Sequence, residues 1–167
     1  QKGLDLVAEC IAGLADLDIQ MVVLGSGDRY LESAFEFFAK ARPHQFAFRS
    51  GYNNALAHRI EAGADMFLMP SRYEPCGLNQ IYSLRYGTIP LVRATGGLDD
   101  TINEQTGFKF WGANAGELYA CVAHAVEHYR FNREAWREMM RRGMSRDFSW
   151  DASAAQYSEL YERLLGA

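Results

Sequence analysis

No apolar run in this 167-residue chain approaches the roughly 20 residues that span a bilayer, and its first residues, Gln1-Lys2-Gly3-Leu4, lack the basic and apolar regions of a signal peptide. That predicts a soluble protein with no membrane partner. Excess basic charge is missing as well: 17 Lys and Arg against 21 Asp and Glu leave a net charge of −4 and a pI near 5.6. General nucleic-acid binding needs a basic surface to neutralise phosphates and is disfavoured, while a local phosphate site stays compatible with the composition. Cysteine is scarce and odd in number. Cys10, Cys76 and Cys121 have no metal-like spacing and imply reduced thiols, with Cys10 and Cys121 reading as core residues. Serine- and cysteine-nucleophile signatures are also absent; Cys76 precedes a helix start but has no identifiable partner base.

What the chain does hold is 49% hydrophobic residues in 18.9 kDa, enough for one well-buried core and too little for two ordinary domains. A single domain over residues 1–167 is expected. Leu4, Val7, Ala8, Ile11 and Leu14 recur at helical spacing, and Ile19 to Leu24 reads as a strand closed by Gly25-Ser26-Gly27-Asp28. A helix from about Tyr30 to Lys40 stops before Pro43; Phe46 to Phe48 is a short strand, Ala55 to Ala62 a helix ending at Gly63, and Met66 to Met69 the next strand. Gln80 to Tyr86 suits a helix closed by Gly87, Ile89 to Arg93 a strand, and Gly107 to Phe110 a last, short strand. This alternation predicts an α/β fold: a Rossmann-like, doubly wound parallel sheet with helices on both faces. A helical C-terminal tail follows, with amphipathic patterns at about Ala115 to Tyr129, Arg133 to Arg146 and Asp151 to Leu165. In the last, Trp150, Ala154, Tyr157, Leu160, Tyr161, Leu164 and Leu165 lie near one face, and Ser149 suits an N-cap.

The amino end departs from this scheme. A doubly wound domain opens with a strand, yet this chain enters directly into the Leu4–Leu14 helix. In the 3-2-1-4-5-6 order the first strand is central, so its absence predicts a gap rather than a trimmed edge. The chain is therefore expected to be a fragment of a longer protein, with the gap closed directly by neighbouring strands or filled by another chain.

Between the Met66–Met69 strand and the helix beginning near Gln80 lies Ser71-Arg72-Tyr73-Glu74-Pro75-Cys76-Gly77-Leu78-Asn79-Gln80, one carboxylate and a glycine turn in a strand-to-helix loop. Such a loop faces the ligand crevice of an open α/β sheet, and the helix behind it offers unpaired N–H groups to an anion. A phosphorylated ligand is expected there, with Glu74 beside it; an ordinary Pro- and Gly-punctuated connection is the plain alternative. Thr95-Gly96-Gly97-Leu98 follows a strand on the same edge, where its backbone can approach a ligand closely or form a tight turn. Gly25-Ser26-Gly27 is weaker, because a dinucleotide fingerprint needs a third glycine where this chain has Tyr30. His124-Ala125-Val126-Glu127-His128 matches a metallopeptidase pattern but has no evident third ligand, so exposed helix histidines account for it and no metal is expected. The arginines at 137, 141, 142 and 146 read as a solvated helix face.

Three blocks in order, Ser71 to Gln80, Leu84-Arg85-Tyr86-Gly87-Thr88 and Thr95-Gly96-Gly97-Leu98-Asp99-Asp100-Thr101, closely resemble the bacterial glycogen synthase and plant starch synthase family. Lys2-Gly3-Leu4-Asp5-Leu6, Gly25-Ser26-Gly27-Asp28, Gly51-Tyr52 and Asp147-Phe148-Ser149-Trp150 extend the resemblance over nearly the whole chain. It implies the second, carboxyl-terminal domain of a two-domain retaining glycosyltransferase of the GT-B type, with the nucleotide-sugar cleft between paired Rossmann-like domains. The implied partners are ADP-glucose, or UDP-glucose, as donor and an α-1,4-glucan as acceptor, together with the missing amino-terminal domain; no cofactor is implied. By resemblance Lys2 contacts the donor phosphates, Tyr52 stacks on the adenine, and Gly77 and Leu78 offer N–H groups to the diphosphate. Cys76, Thr95, Gly96 and Gly97 line the same donor site, and Glu74 engages the transferred glucose as the catalytic candidate. Related retaining families carry a second glutamate eight positions after the first; this chain has Tyr82 there. The resemblance places the protein in the bacterial cytoplasm, with a plastid as the alternative. It also implies that the chain alone is inactive, since half the cleft is missing. A non-catalytic nucleotide-binding module is the competing reading.

Overall fold

The computed structural model describes residues 1–166. Its elements run α1 (Leu4–Asp16), β1 (Met21–Gly25), α2 (Arg29–Ala41), β2 (Phe46–Ser50), α3 (Asn54–Gly63), β3 (Met66–Met69), α4 (Asn79–Tyr86), β4 (Ile89–Arg93), α5 (Gly96–Thr101), β5 (Phe108–Phe110), α6 (Ala115–Phe131), α7 (Arg133–Met144) and α8 (Trp150–Leu165). The sequence pattern locates every strand to within two residues. It misses α5, whose six residues carry two glycines and one buried leucine, too short a stretch for helical periodicity to register.

All five strands pair in parallel, as two hydrogen-bonded sheets, β1-β2 and β3-β4-β5. In β3 and β4 alternate residues face opposite sides. Met66, Leu68, Ile89 and Leu91 join a cluster with Leu6, Ile11 and Leu14 of α1 and Leu118, Val122 and Ala125 of α6. Phe67, Met69 and Val92 face the other way and pack with Leu84 of α4, Leu98 of α5 and Ile102. Helices therefore cover both faces of the three-stranded sheet. The β1-β2 pair joins the first cluster through Met21, Val23, Phe46 and Phe48, whereas Val22, pointing the other way, is 52% exposed.

The two sheets border a gap. β1 pairs only with β2 and β3 only with β4, so each leaves one edge unpaired. Of the two outcomes open from the sequence, direct closure by neighbouring strands does not occur. A parallel first strand would belong between β1 and β3, where the 3-2-1-4-5-6 order puts it.

Caps fix several helix starts. Asp28, Asn53, Asn114 and Ser149 accept hydrogen bonds from first-turn N–H groups of α2, α3, α6 and α8, the last as the sequence predicts. α1, α4 and α5 begin without a side-chain cap, and α1 and α4 lie beside the loop that follows β3. α8 buries none of its residues; Trp150, Leu164 and Leu165 are 75% exposed or more. No helix among the described residues is long and apolar enough to cross a membrane.

Candidate functional site

The loop between β3 and α4 is held from behind by its carbonyls. Arg93, the last residue of β4, donates to the carbonyls of Ser71 (2.7 Å) and Arg72 (2.5 Å). Gly97 N–H donates to Glu74 C=O at 3.0 Å. Gln80, fully buried, sends Nε2 to the carbonyls of Cys76 (3.0 Å) and Gly77 (3.1 Å) and to Thr101 Oγ1 (3.2 Å). Its Oε1 is buried and unpartnered among the described residues. Sequence reasoning missed both Arg93 and Gln80, because each acts on loop backbone through a fold-dependent approach that no motif spells out.

With the carbonyls engaged, the amides face outward. The N–H groups of Gly77, Leu78 and Asn79 have no partner among the described residues, and α4 has no capping side chain. Gly77 sits at φ +74°, a left-handed conformation, and a Cβ there would lie 2.5 Å from Gln80 Oε1. Exposed N–H donors at a helix start, on the positive end of its dipole, form an anion cradle. Cys76 is exposed beside them, and Leu78 is 54% exposed.

The chain's first residues complete this wall. Gln1 C=O accepts from Arg72 N–H (2.8 Å), and Asp5 takes a forked ion pair from Arg72 at 2.8 and 3.2 Å. Gly3, at φ +72°, packs so tightly on Pro70 that a Cβ would stand 2.0 Å from its carbonyl oxygen. This docking sets Lys2 Nζ 2.5 Å from Glu74 Oε2, which also accepts from Ser71 Oγ at 3.3 Å. Glu74 is 7% exposed, a buried carboxylate with two donors. Lys2, Leu68, Pro70, Glu74, Gly77 and Leu78 line a cavity of about 290 Å³ against β3. A larger, more open depression of about 650 Å³ at the α6–α7 junction involves Arg133, Glu138 and Arg141 and none of these loops.

Thr95 stands at the N-cap of α5, and Gly96 and Gly97 after it meet the Glu74 loop. A Cβ on Gly96, at φ +47°, would lie 2.4 Å from Glu74 O, and one on Gly97 only 1.9 Å from Cys76 O. These glycines allow two loop backbones to touch, and Gly97 N–H is already committed to Glu74 C=O. Tyr52 stands apart from this group. It follows β2 in the two-stranded sheet, is 89% exposed, and makes one long contact, to Asn54 Oδ1 at 3.5 Å. Its neighbour Gly51 donates to Gly25 C=O at 3.2 Å, which links the ends of β1 and β2 on one edge. Gly27 N–H is spent on Glu32 Oε1 (2.8 Å), consistent with a turn.

The histidine pair stands among aromatic rings. No group of three or more metal-ligating side chains occurs among the described residues. His124 and His128 instead pack on Phe108, at ring distances of 5.5 and 5.7 Å, with Trp136 beside His128. The expectation of two exposed histidines holds for His124 and needs correction for His128, which is half-buried under that aromatic group. Arg141 and Arg142 both pair with Glu138 on the exposed face of α7.

Comparison with known proteins follows the same lines. The family described as "Glycosyl transferases group 1" matches residues 1–141. Glycogen synthase of Koribacter versatilis is 53% identical over 170 residues, covering 98% of this chain and 35% of that protein. Glycogen synthase of Anaeromyxobacter sp. is 54% identical, over 98% of this chain and 36% of that protein. The catalytic domain of starch synthase IV from Arabidopsis thaliana, bound to ADP and acarbose, superposes with a TM-score of 0.83 at 36% identity, over 100% of this chain and 36% of that one. Sucrose-phosphate synthase from Thermosynechococcus elongatus, 23% identical with a TM-score of 0.71 over 99% of this chain and 43% of that one, shares the fold. The chain thus spans about 35% of the length of the relatives it matches.

Proposed function

Because the chain belongs to the glycosyl transferases of group 1, we propose that it forms the donor-binding domain of a retaining glucosyltransferase that extends an α-1,4-glucan from ADP-glucose. One observation carries this reading: the unpartnered N–H groups of Gly77, Leu78 and Asn79 open α4 beside the Lys2–Glu74 pair. The diphosphate takes the amides and the Lys2 ammonium, and the glucose lies toward Glu74. As the glycosidic bond breaks, the leaving nucleoside diphosphate gains negative charge. Fixed N–H donors and a cation then stabilise the transition state more than the ground state. Glu74 faces the sugar, where a carboxylate stabilises an oxocarbenium-like centre or orients hydroxyls.

ADP-glucose is preferred over UDP-glucose on the identity of the neighbours. Starch synthase IV, described as bound to ADP, is 36% identical, whereas the protein described with UDP-glucose is 12% identical and informs the fold alone. Tyr52, exposed at the end of β2, is the candidate platform for the adenine. The glucan acceptor and an amino-terminal domain supply the other wall, so the chain alone binds donor without turnover. Its bacterial relatives support a bacterial cytoplasmic setting.

Calorimetric titration of the chain with ADP, ADP-glucose and UDP-glucose tests the reading. Binding of ADP and ADP-glucose ahead of UDP-glucose, weakened in Tyr52→Ala and Lys2→Ala, is expected. Absence of binding by all three would refute it.

A further inference from the structure

We infer that Arg93 is a positioning residue for the donor site, one that holds the Glu74 loop and the Lys2 segment in register; the inference rests on the donor-site reading above. Arg93 ends β4, and its guanidinium spans three carbonyls from two segments. Nε donates to Ser71 C=O at 2.7 Å, one terminal nitrogen to Arg72 C=O at 2.5 Å and the other to Trp111 C=O at 3.1 Å. Trp111 is itself anchored, since Glu117 accepts from its N–H (3.1 Å) and from that of Gly112 (2.6 Å). The planar fork therefore ties the loop after β3 to a fixed point after β5.

The consequence passes through peptide geometry. In a trans peptide the C=O and N–H point to opposite sides. With Ser71 C=O turned toward Arg93, the N–H of Arg72 points away from it and meets Gln1 C=O at 2.8 Å. That bond, with the Arg72–Asp5 fork, docks the segment from which Lys2 reaches Glu74. The Arg93 guanidinium hydrogen-bonds neither Lys2 nor Glu74, yet it sets the backbone from which both side chains are presented. Gln80 has the corresponding part at the far end of the loop, on Cys76 and Gly77. A lysine in place of Arg93 offers one compact ammonium and cannot span three carbonyls.

The test uses the whole chain with Arg93→Met, Arg93→Lys and, as control, Arg130→Met. Arg130 also donates to loop carbonyls, Leu17 (2.7 Å) and Asp18 (3.0 Å), but away from the site. Two readouts are taken at matched folded fraction: amide hydrogen exchange of Arg72 and Gly97, whose N–H groups bond Gln1 and Glu74, and titration with ADP-glucose. Arg93→Met is expected to speed exchange at both amides by about tenfold and to weaken ADP-glucose binding by about tenfold, the order expected for a lost charge-assisted hydrogen bond. Arg93→Lys should fall between, and Arg130→Met should change neither. Unchanged exchange at Arg72 and Gly97, or an equal loss of binding in Arg130→Met, would overturn the assignment. If the unsubstituted chain binds no nucleotide the donor reading fails, and the exchange rates alone decide whether Arg93 positions the loop.

Discussion

The Lys2 ammonium lies 2.5 Å from Glu74 Oε2, joining residues 72 positions apart in the chain. Glu74's side chain is 9% exposed and Lys2's 62%, so the pair is half in water and contributes only about 1 kcal/mol or less to stability. Its interest is functional. A donor phosphate must compete with Glu74 for the ammonium, and Lys2→Ala is expected to weaken ADP-glucose binding by about tenfold. Glu74→Gln removes the competitor and should bind ADP at least as tightly as the unsubstituted chain. Calorimetry distinguishes these outcomes; loss of ADP binding in Glu74→Gln would sink the competition.

Gly97 offers a steric test of the loop contact. A methyl group there would sit 1.9 Å from Cys76 O, a backbone atom that cannot turn aside. Gly97→Ala should cost about 3 kcal/mol or more by urea denaturation, at or beyond the usual range for overpacking. Gly27→Ala, with nothing within 4 Å of the added carbon, should stay within about 0.5 kcal/mol. Similar midpoints for the two variants would show that the two loops do not meet as described.

Gln80 joins three acceptors and leaves one buried oxygen unpaired. Gln80→Leu strands the carbonyls of Cys76 and Gly77 but removes that oxygen, for an expected net loss of about 2 kcal/mol. Gln80→Glu, once ionised, sets a charge against two carbonyl oxygens and should lose more. Denaturation midpoints near neutral pH are expected in the order Gln, Leu, Glu, and a Glu variant as stable as wild type would reject this hydrogen-bonding scheme.

These residues mark the boundary of what the sequence discloses. Met66–Met69 and Ile89–Arg93 are legible because short apolar runs end at Pro70 and at the Thr95 turn, and Ser149 because a cap residue stands directly before its helix. The break between β1 and β3 is only half legible, since the strand order suggests a gap there but leaves direct pairing of the two strands open, and the separation into two sheets shows only after folding. Lys2 and Glu74 are each visible as candidates, yet their contact depends on Gly3 docking against Pro70, a packing event with no local signature. Arg93 reads as the end of a strand and Gln80 as one residue of a helix. Their importance comes from which carbonyls lie within reach after folding. The apolar face of α8 was legible too, but periodicity records only that a face is apolar, and this one is left exposed.

The thiols give a direct check on burial. Cys76 is exposed, whereas burial pushes the Cys10 thiol up and that of Cys121 up to about 12. Thiolate is the reactive form, so near neutral pH the folded chain should take up one equivalent of a thiol reagent quickly, at Cys76. The other two should react only on unfolding, and ADP should slow the first. Rapid labelling of Cys121 in the folded chain would contradict its place on the buried face of α6.

Glu61 supplies the pH dependence. It is 3% exposed on α3, accepts from Ser83 Oγ of α4 at 2.7 Å, and its backbone carbonyl accepts from Thr88 Oγ1 at 2.6 Å. Burial raises its carboxyl pKa above the ordinary 4.5, while the Ser83 hydroxyl and the charge of His58 pull the other way without offsetting it. The folded chain therefore holds this proton more tightly than the unfolded chain does. The resulting stabilisation is complete below the unfolded value and is lost as pH rises through the folded one. Glu61→Gln, neutral at every pH, escapes that loss. Its stability relative to wild type should thus rise between about pH 4 and pH 7, read as the difference between paired thermal melts. A difference that stays flat, or falls, across that window would mean the carboxylate is ionised in place without cost, and that the α3–α4 contact tolerates the charge.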